Sequence, residues 1–248
     1  MSLLRTLLLA GSLGALAGLT LSTHAQTPTG GGPVALNSTL LRALGTTNAF
    51  SARAEVRLLD RTRNQEMLSL TMNFAQLFGR VRAEIDMARI KSREMGSNDV
   101  AALRQLGLDQ IITVVRLDQR TMLYAYPTLR GYVELPLPDE NPEPFYQTAA
   151  GSEEVEGRSC VKFRITSDGQ SNRKDKLVAL VWKARDPRHL PVKAQIYQPD
   201  AVVEMTFKDI RASRPQPGLF DPPVGYKRYD SLEALTLSRM LGTPSPLP

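Results

Sequence analysis

The stretch Phe50-Ser51-Ala52-Arg53-Ala54-Glu55-Val56-Arg57-Leu58 places an apolar side chain at every second position. Two further stretches repeat the pattern. Leu68, Leu70, Met72 and Phe74 alternate with Ser69, Thr71 and Asn73, and Val81, Ala83, Ile85 and Met87 alternate with Arg80, Arg82, Glu84 and Asp86. Side chains along a strand point to opposite faces, so each stretch predicts a strand with one apolar and one polar face. The connections are short, which predicts antiparallel pairing. The expected product is one sheet with a greasy face and a wet face, and the greasy face must be covered.

Working outward, further strands are expected over 111–117, 122–126, 132–135, 160–166, 177–184, 192–197 and 202–207, about ten in all. Leu36, Leu40, Leu41 and Leu44 have helical spacing, with Gly45 as a stop. A second helix is expected from a cap at Asn98 or Asp99 to Gly107. A third begins near Asp230 and Glu233, at capping-box spacing. Pro136, Pro138, Pro142 and Pro144 predict an extended, unpaired connector. Ser167 to Asn172 is a turn by composition. The fold class is therefore mainly β with a few helices (α+β), built on a curled antiparallel sheet.

Residues 1–25 read as a secretory signal: Arg5, an apolar run from Thr6 to Leu21, and small residues before a cut after Ala25. Residues 26–33 are a flexible lead, 34–241 a single domain and 242–248 a tail. The expected location is the periplasm. The chain of 248 residues has 31 Lys and Arg against 25 Asp and Glu, a net charge of +6. That mild excess suits transient contact with an anionic membrane surface. It comes without the dense basic run that nucleic acid would call for.

Cys160 is the only cysteine, so no internal disulfide can form. It lies in a strand-like run and reads as a packed thiol. After loss of the signal only His189 remains, in a proline-flanked turn, and no nucleophile elbow is present. One His and one Cys do not make a zinc site, and Gly30-Gly31-Gly32 lacks the lysine of a phosphate loop. Glu84 and Asp86 share a strand face with Arg80 and Arg82 and read as solvated charge. The reading is of no catalytic residues, no metal and no cofactor.

The candidate ligand surface is the greasy face: Phe50, Ala54, Val56, Leu58, Leu68, Leu70, Met72, Phe74, Val81, Ile85 and Met87, joined by Met122, Tyr124 and Tyr126. Methionines suit a surface that fits variable apolar shapes. The alternative is a filled core that nothing enters.

Several ordered motifs carry a family resemblance. They are Arg82-Ala83-Glu84-Ile85-Asp86-Met87, Tyr126-Pro127 followed by Tyr132-Val133-Glu134, and Glu153 to Phe163 with its Gly157 and Cys160. Trp182-Lys183-Ala184-Arg185-Asp186, Leu190-Pro191-Val192-Lys193 and Leu219 to Tyr226 follow. Over roughly residues 50 to 230 the chain resembles an uncharacterised bacterial exported family related to the LolA/LolB lipoprotein-carrier superfamily. The resemblance implies a half-barrel with short helices in its mouth as a lid, and acyl chains of a lipid or lipoprotein held between sheet and lid. In the carriers an arginine reaching the cavity controls the lid; here Arg53, Arg57, Arg80 and Arg82 all fall on the polar face. Two other functions stay open: an envelope sensor or interaction module with a regulatory protein partner, and a carboxylate-dependent envelope hydrolase.

Overall fold

The computed structural model describes residues 41, 43–45, 48–93, 95–137, 145–167 and 176–241. The export segment 1–25, the lead 26–33, most of the helix expected over 36–44, the connector residues 138–144, the turn residues 168–172 and the tail 242–248 lie outside them.

The alternating stretches become β1 (Ala49–Asp60), β2 (Glu66–Leu77) and β3 (Arg80–Asp86). They pair antiparallel with the expected phase: Ala54 faces Met72, which faces Ile85, and Ala52 faces Phe74, which faces Ala83. The short β4 (Lys91–Ser92) adds to β2. Next come α1 (Ser97–Leu106), β5 (Gln110–Arg116), β6 (Thr121–Tyr126) and β7 (Gly131–Pro136). The second half supplies β8 (Phe145–Val155), β9 (Arg158–Ser167), β10 (Lys176–Ala184), β11 (Pro191–Tyr197) and β12 (Ala201–Arg211). β13 (Lys227–Tyr229) and α2 (Leu232–Met240) close the described chain.

All thirteen strands belong to one sheet, twelve of them in the order β13-β7-β6-β5-β3-β2-β1-β12-β11-β10-β9-β8 and β4 off this path, beside β2. Pairing is antiparallel except between β13 and β7. The two ends of this order do not pair, so the sheet curls without closing. Five register breaks help to bend it, at Ser51/Arg53, Leu58/Leu59, Trp182/Lys183, Leu177/Ala179 and Ala149/Ser152. Each such bulge raises the local twist.

The β2–β3 hairpin shows how tightly turn chemistry sets register. Phe78 and Gly79 both take positive φ, 46° and 83°, the backbone that a two-residue turn needs to match strand twist. Phe78 is a costly occupant; its ring lies exposed under the Arg214 guanidinium, 5.2 Å away.

Beyond three strands that the sequence did not announce, β4, β8 and β13, four details differ from the sequence reading. The N-cap of α1 is Gly96, not Asn98 or Asp99; Asp99 instead sits at the third helical position and accepts from Gly96 N. Ser231 caps α2, its hydroxyl accepting from Ala234 N, where Asp230 was expected. Pro136 is paired, opposite Thr121 at the end of β7. This is allowed because β13 covers only Gly131 to Val133, leaving the other side of Pro136 without a strand that needs its missing N–H.

The fourth difference is that the opposite face is not wet throughout. Ala75, Leu77, Ile112, Val114, Leu123 and Ala125 form an apolar cluster there, capped by Phe220 from the 3-10 turn Pro217–Phe220. Trp182, Cys160, Ala184 and Val192 make a second cluster. Ala75 and Leu77 end β2 where its polar alternation lapses, and Ile112 to Val115 and Leu123 with Ala125 are apolar on both faces or lack polar partners in phase, so this burial had no clean period-two signal.

Candidate functional site

The central cluster of buried residues lies on the greasy face. Phe50, Ala54, Val56, Leu68, Leu70, Met72, Phe74, Val81, Ile85 and Met87 all belong to it, with Leu58 and Met122 packed at its margin. β12 and β11 extend it through Val203, Met205, Phe207, Ala194 and Ile196, as their register with β1 requires. At its centre three rings meet: Phe50, Phe74 and Phe207, with centroids 5.1 to 5.7 Å apart and mostly tilted or edge-on. Such contacts add to what burial alone supplies.

Tyr124 and Tyr126 are elsewhere. They join Leu108, Val133 and Leu235 of α2 in a separate cluster at the β5–β7 end. Burial pushes both phenols above their usual range. The structure thus brings together twelve of the fourteen candidate residues and sets two apart.

The curled sheet encloses part of its own face, through Ile165, Ala179 and Val181 of β9 and β10, and short segments complete the cover. Among the described residues these are Leu41, Ala43 and Leu44, each fully buried, with Met95, Leu103, Leu137 and Leu190. Leu41, Ala43 and Leu44 are helical, and Gly45 N bonds back to Leu41 O. They belong to the same buried cluster as the three rings.

Two polar side chains on this face escaped the sequence reading. Gln76 continues the phase of Leu70, Met72 and Phe74, and it is fully buried. Its Nε2 donates to Gly45 O at 2.5 Å, while its Oε1 has no partner among the described residues. Lys183 follows Ala179 and Val181 in phase. Its ammonium lies 3.4 Å from Gln147 Oε1 and 5.4 Å from the centre of the Phe163 ring. Burial pulls its pKa down. An added Cβ on Gly45 would lie 4.0 Å from that ammonium. Both polar groups therefore meet the end of the covering segment. Extending the alternation two residues past Phe74 and Val181 would have found them.

The remaining titratable candidates sit apart. His189 is exposed in its turn, with φ 47°, and its N–H donates to Asp186. Glu84 accepts from Arg82 and Asn73, and Asp86 accepts from Ala88 N. Cys160 is buried, which pushes its thiol up. Among the described residues no three His, Cys, Asp or Glu side chains come together as a metal site, and no helix is long and apolar enough to cross a membrane.

On the polar face a ladder of ion pairs crosses four strands. Lys193 reaches Glu204 at 2.8 Å; Arg57 reaches Glu204 at 3.3 Å and Glu66 at 2.8 Å. Burial alone would raise the Glu204 carboxyl, but Lys193, Gln195 and Arg57 together hold it below the usual range.

No protein-family profile and no curated protein sequence matches this chain. Several solved structures do. The lipoprotein LppX from Mycobacterium tuberculosis matches at 14% identity over 71% of this chain and 93% of its own, with a TM-score of 0.36. A LolA superfamily protein from Nitrosomonas europaea matches at 10% identity over 74% and 96%, with a TM-score of 0.33. A putative outer membrane lipoprotein-sorting protein domain from Vibrio parahaemolyticus matches at 8% identity over 74% and 94%, with a TM-score of 0.25.

Proposed function

We propose that this chain is a periplasmic, non-catalytic protein that holds an acyl chain of a lipid or lipoprotein between the greasy sheet face and the segment ending at Gly45. The observation that carries the reading is architectural. One curled sheet gathers many large apolar side chains, including three phenylalanines and three methionines, on a face that no second sheet covers among the described residues. Short covering segments are the parts most easily displaced. An acyl chain that replaced Leu41 and Leu44 would restore the apolar burial they supply, at about 25 cal/mol per Å².

Gln76 and Lys183 then have a role in the same device. Gln76 ties the end of the covering segment to the sheet through one hydrogen bond, and its free Oε1 and the Lys183 ammonium lend polarity where the lid ends.

Native mass spectrometry of gently purified protein tests this reading. Co-purified lipid of defined mass is expected, and removal of the lipid should be followed by rebinding of a fatty acid. A protein that is empty on isolation and takes up no fatty acid would refute it.

A further inference from the structure

The opposite face carries a cleft of about 360 Å³ among β1, β2, β3, β12 and the turn 217–220. Arg53, Arg82 and Arg211 line it, with Glu84, Asp209 and Ser51. Ala52 and Phe74 also border it, so it backs onto the apolar surface discussed above, but the inference does not depend on that reading.

The cleft sits on a register break. Ser51 pairs with Arg211 but Arg53 pairs with Lys208, so β12 carries one extra residue. Asp209 lies in that bulge in the left-handed conformation, φ 52°. Asp accepts this backbone better than most residues, and a bulge re-aims the side chains around it. Here it brings arginines from two adjacent strands to one opening.

The charges in the opening do not cancel. Arg82 is committed: it pairs with Glu84 at 2.8 Å and donates to Leu219 O at 2.8 Å, which ties the turn to the sheet. Arg53 reaches Asp209 only at 3.6 Å, with both side chains at least half exposed. Such a pair contributes little and exchanges readily. Arg211 is exposed, with no side-chain hydrogen bond or ion pair among the described residues. One positive charge is left over, and a second guanidinium is weakly held.

We propose that this cleft binds a phosphate group, carried by a small phosphomonoester or by a lipid headgroup. Two planar guanidinium forks present more parallel donors than one carboxylate can accept, and a phosphate offers the additional oxygens. Ser51 can add a hydroxyl donor. Asp209 is the charge the phosphate displaces from Arg53. The cleft volume falls in the range of small-molecule sites, roughly 300–1,000 Å³.

The test titrates the full chain with inorganic phosphate and glycerol phosphate by calorimetry. A parallel arm floats it with phosphatidylcholine vesicles, with and without phosphatidic acid. Arg211→Gln should weaken phosphate binding at least tenfold, and Arg53→Gln similarly. Lys227→Gln, an exposed cation on the far edge strand, should leave it unchanged. Flotation that needs phosphatidic acid and is lost in Arg211→Gln assigns the headgroup; binding of the soluble esters without flotation assigns a free phosphate. Both outcomes support the site. Equal binding by wild type and Arg211→Gln, or no binding in either arm, overturns it. Arg211 is exposed, so loss of fold does not confound the variant, and a thermal melt verifies this.

Discussion

The two faces of β1 and β2 share one backbone and are held by different physics. Val56 and Met72 are almost wholly buried, while Arg57 and Asn73, one residue further along, lie on the charged face. The greasy face gains from area removed from water and from close packing, which neither salt nor pH alters much. The charged face is held by a ladder of ion pairs that runs from the half-exposed Arg57 to the nearly buried Glu204, and its exposed members contribute little and are sensitive to solution conditions. The lesson is that the apolar side determines whether the sheet forms, and the polar side tunes how it responds to its surroundings.

The strongest blow to that contrast is Phe74→Ala. It removes the ring that touches both Phe50 and Phe207, and a loss of about 3–5 kcal/mol is expected. Urea denaturation measures it, and the loss should be the same at low and high salt. A loss below about 1 kcal/mol would mean that the three rings are not a packed centre.

Next in size is Glu134→Ala, on the opposite face. Glu134 pairs with Arg116, which is only 4% exposed. Removing the carboxylate leaves a nearly buried cation without its partner, and a loss of about 3 kcal/mol is expected. Here the charged side behaves like a core, so the variant sharpens the comparison by showing where burial rather than face decides. The double variant Arg116→Met with Glu134→Ala should recover part of the loss.

Acid should act on the ladder and spare the rings. Glu204 and Glu66 are both held below their usual value of 4.5, Glu66 by hydrogen bonds from Ser69 and Arg57. A carboxyl lowered in the folded state contributes stability that is complete above its unfolded value and lost as pH falls through the folded one. Stability should therefore be flat from pH 7 to about 5 and decline below 4.5. Glu204→Gln should flatten that decline. An acid limb identical to that of wild type would remove Glu204 from the account.

The smallest effect is expected for Arg57→Ala. Arg57 is half exposed, and a loss under about 1 kcal/mol is expected, shrinking further in high salt.

Much of this was legible in the residues. The phase of β1 to β3, and hence the members of the greasy face from Phe50 to Met87, follows from alternation alone. β8 was not legible: it is an edge strand exposed along nearly its whole length, so neither face leaves an apolar mark. Tyr124 and Tyr126 have the right phase, but the packing of α2 through Leu235 draws their end of the sheet into another cluster. Phase fixes a face and says nothing of position along a curled sheet. The arginine cleft depends on one extra residue in β12, and Asp209 in Lys208-Asp209-Ile210 gives no local sign that the register slips there.

Photo-crosslinking with a fatty acid that bears a diazirine near its tail tests the central claim most directly. The account predicts adducts on greasy-face residues such as Phe50, Met72, Phe74, Met205 and Phe207, and none on Arg57, Asn73 or Glu204. Adducts confined to the charged face, or no specific adducts when lipid is in excess, would contradict it.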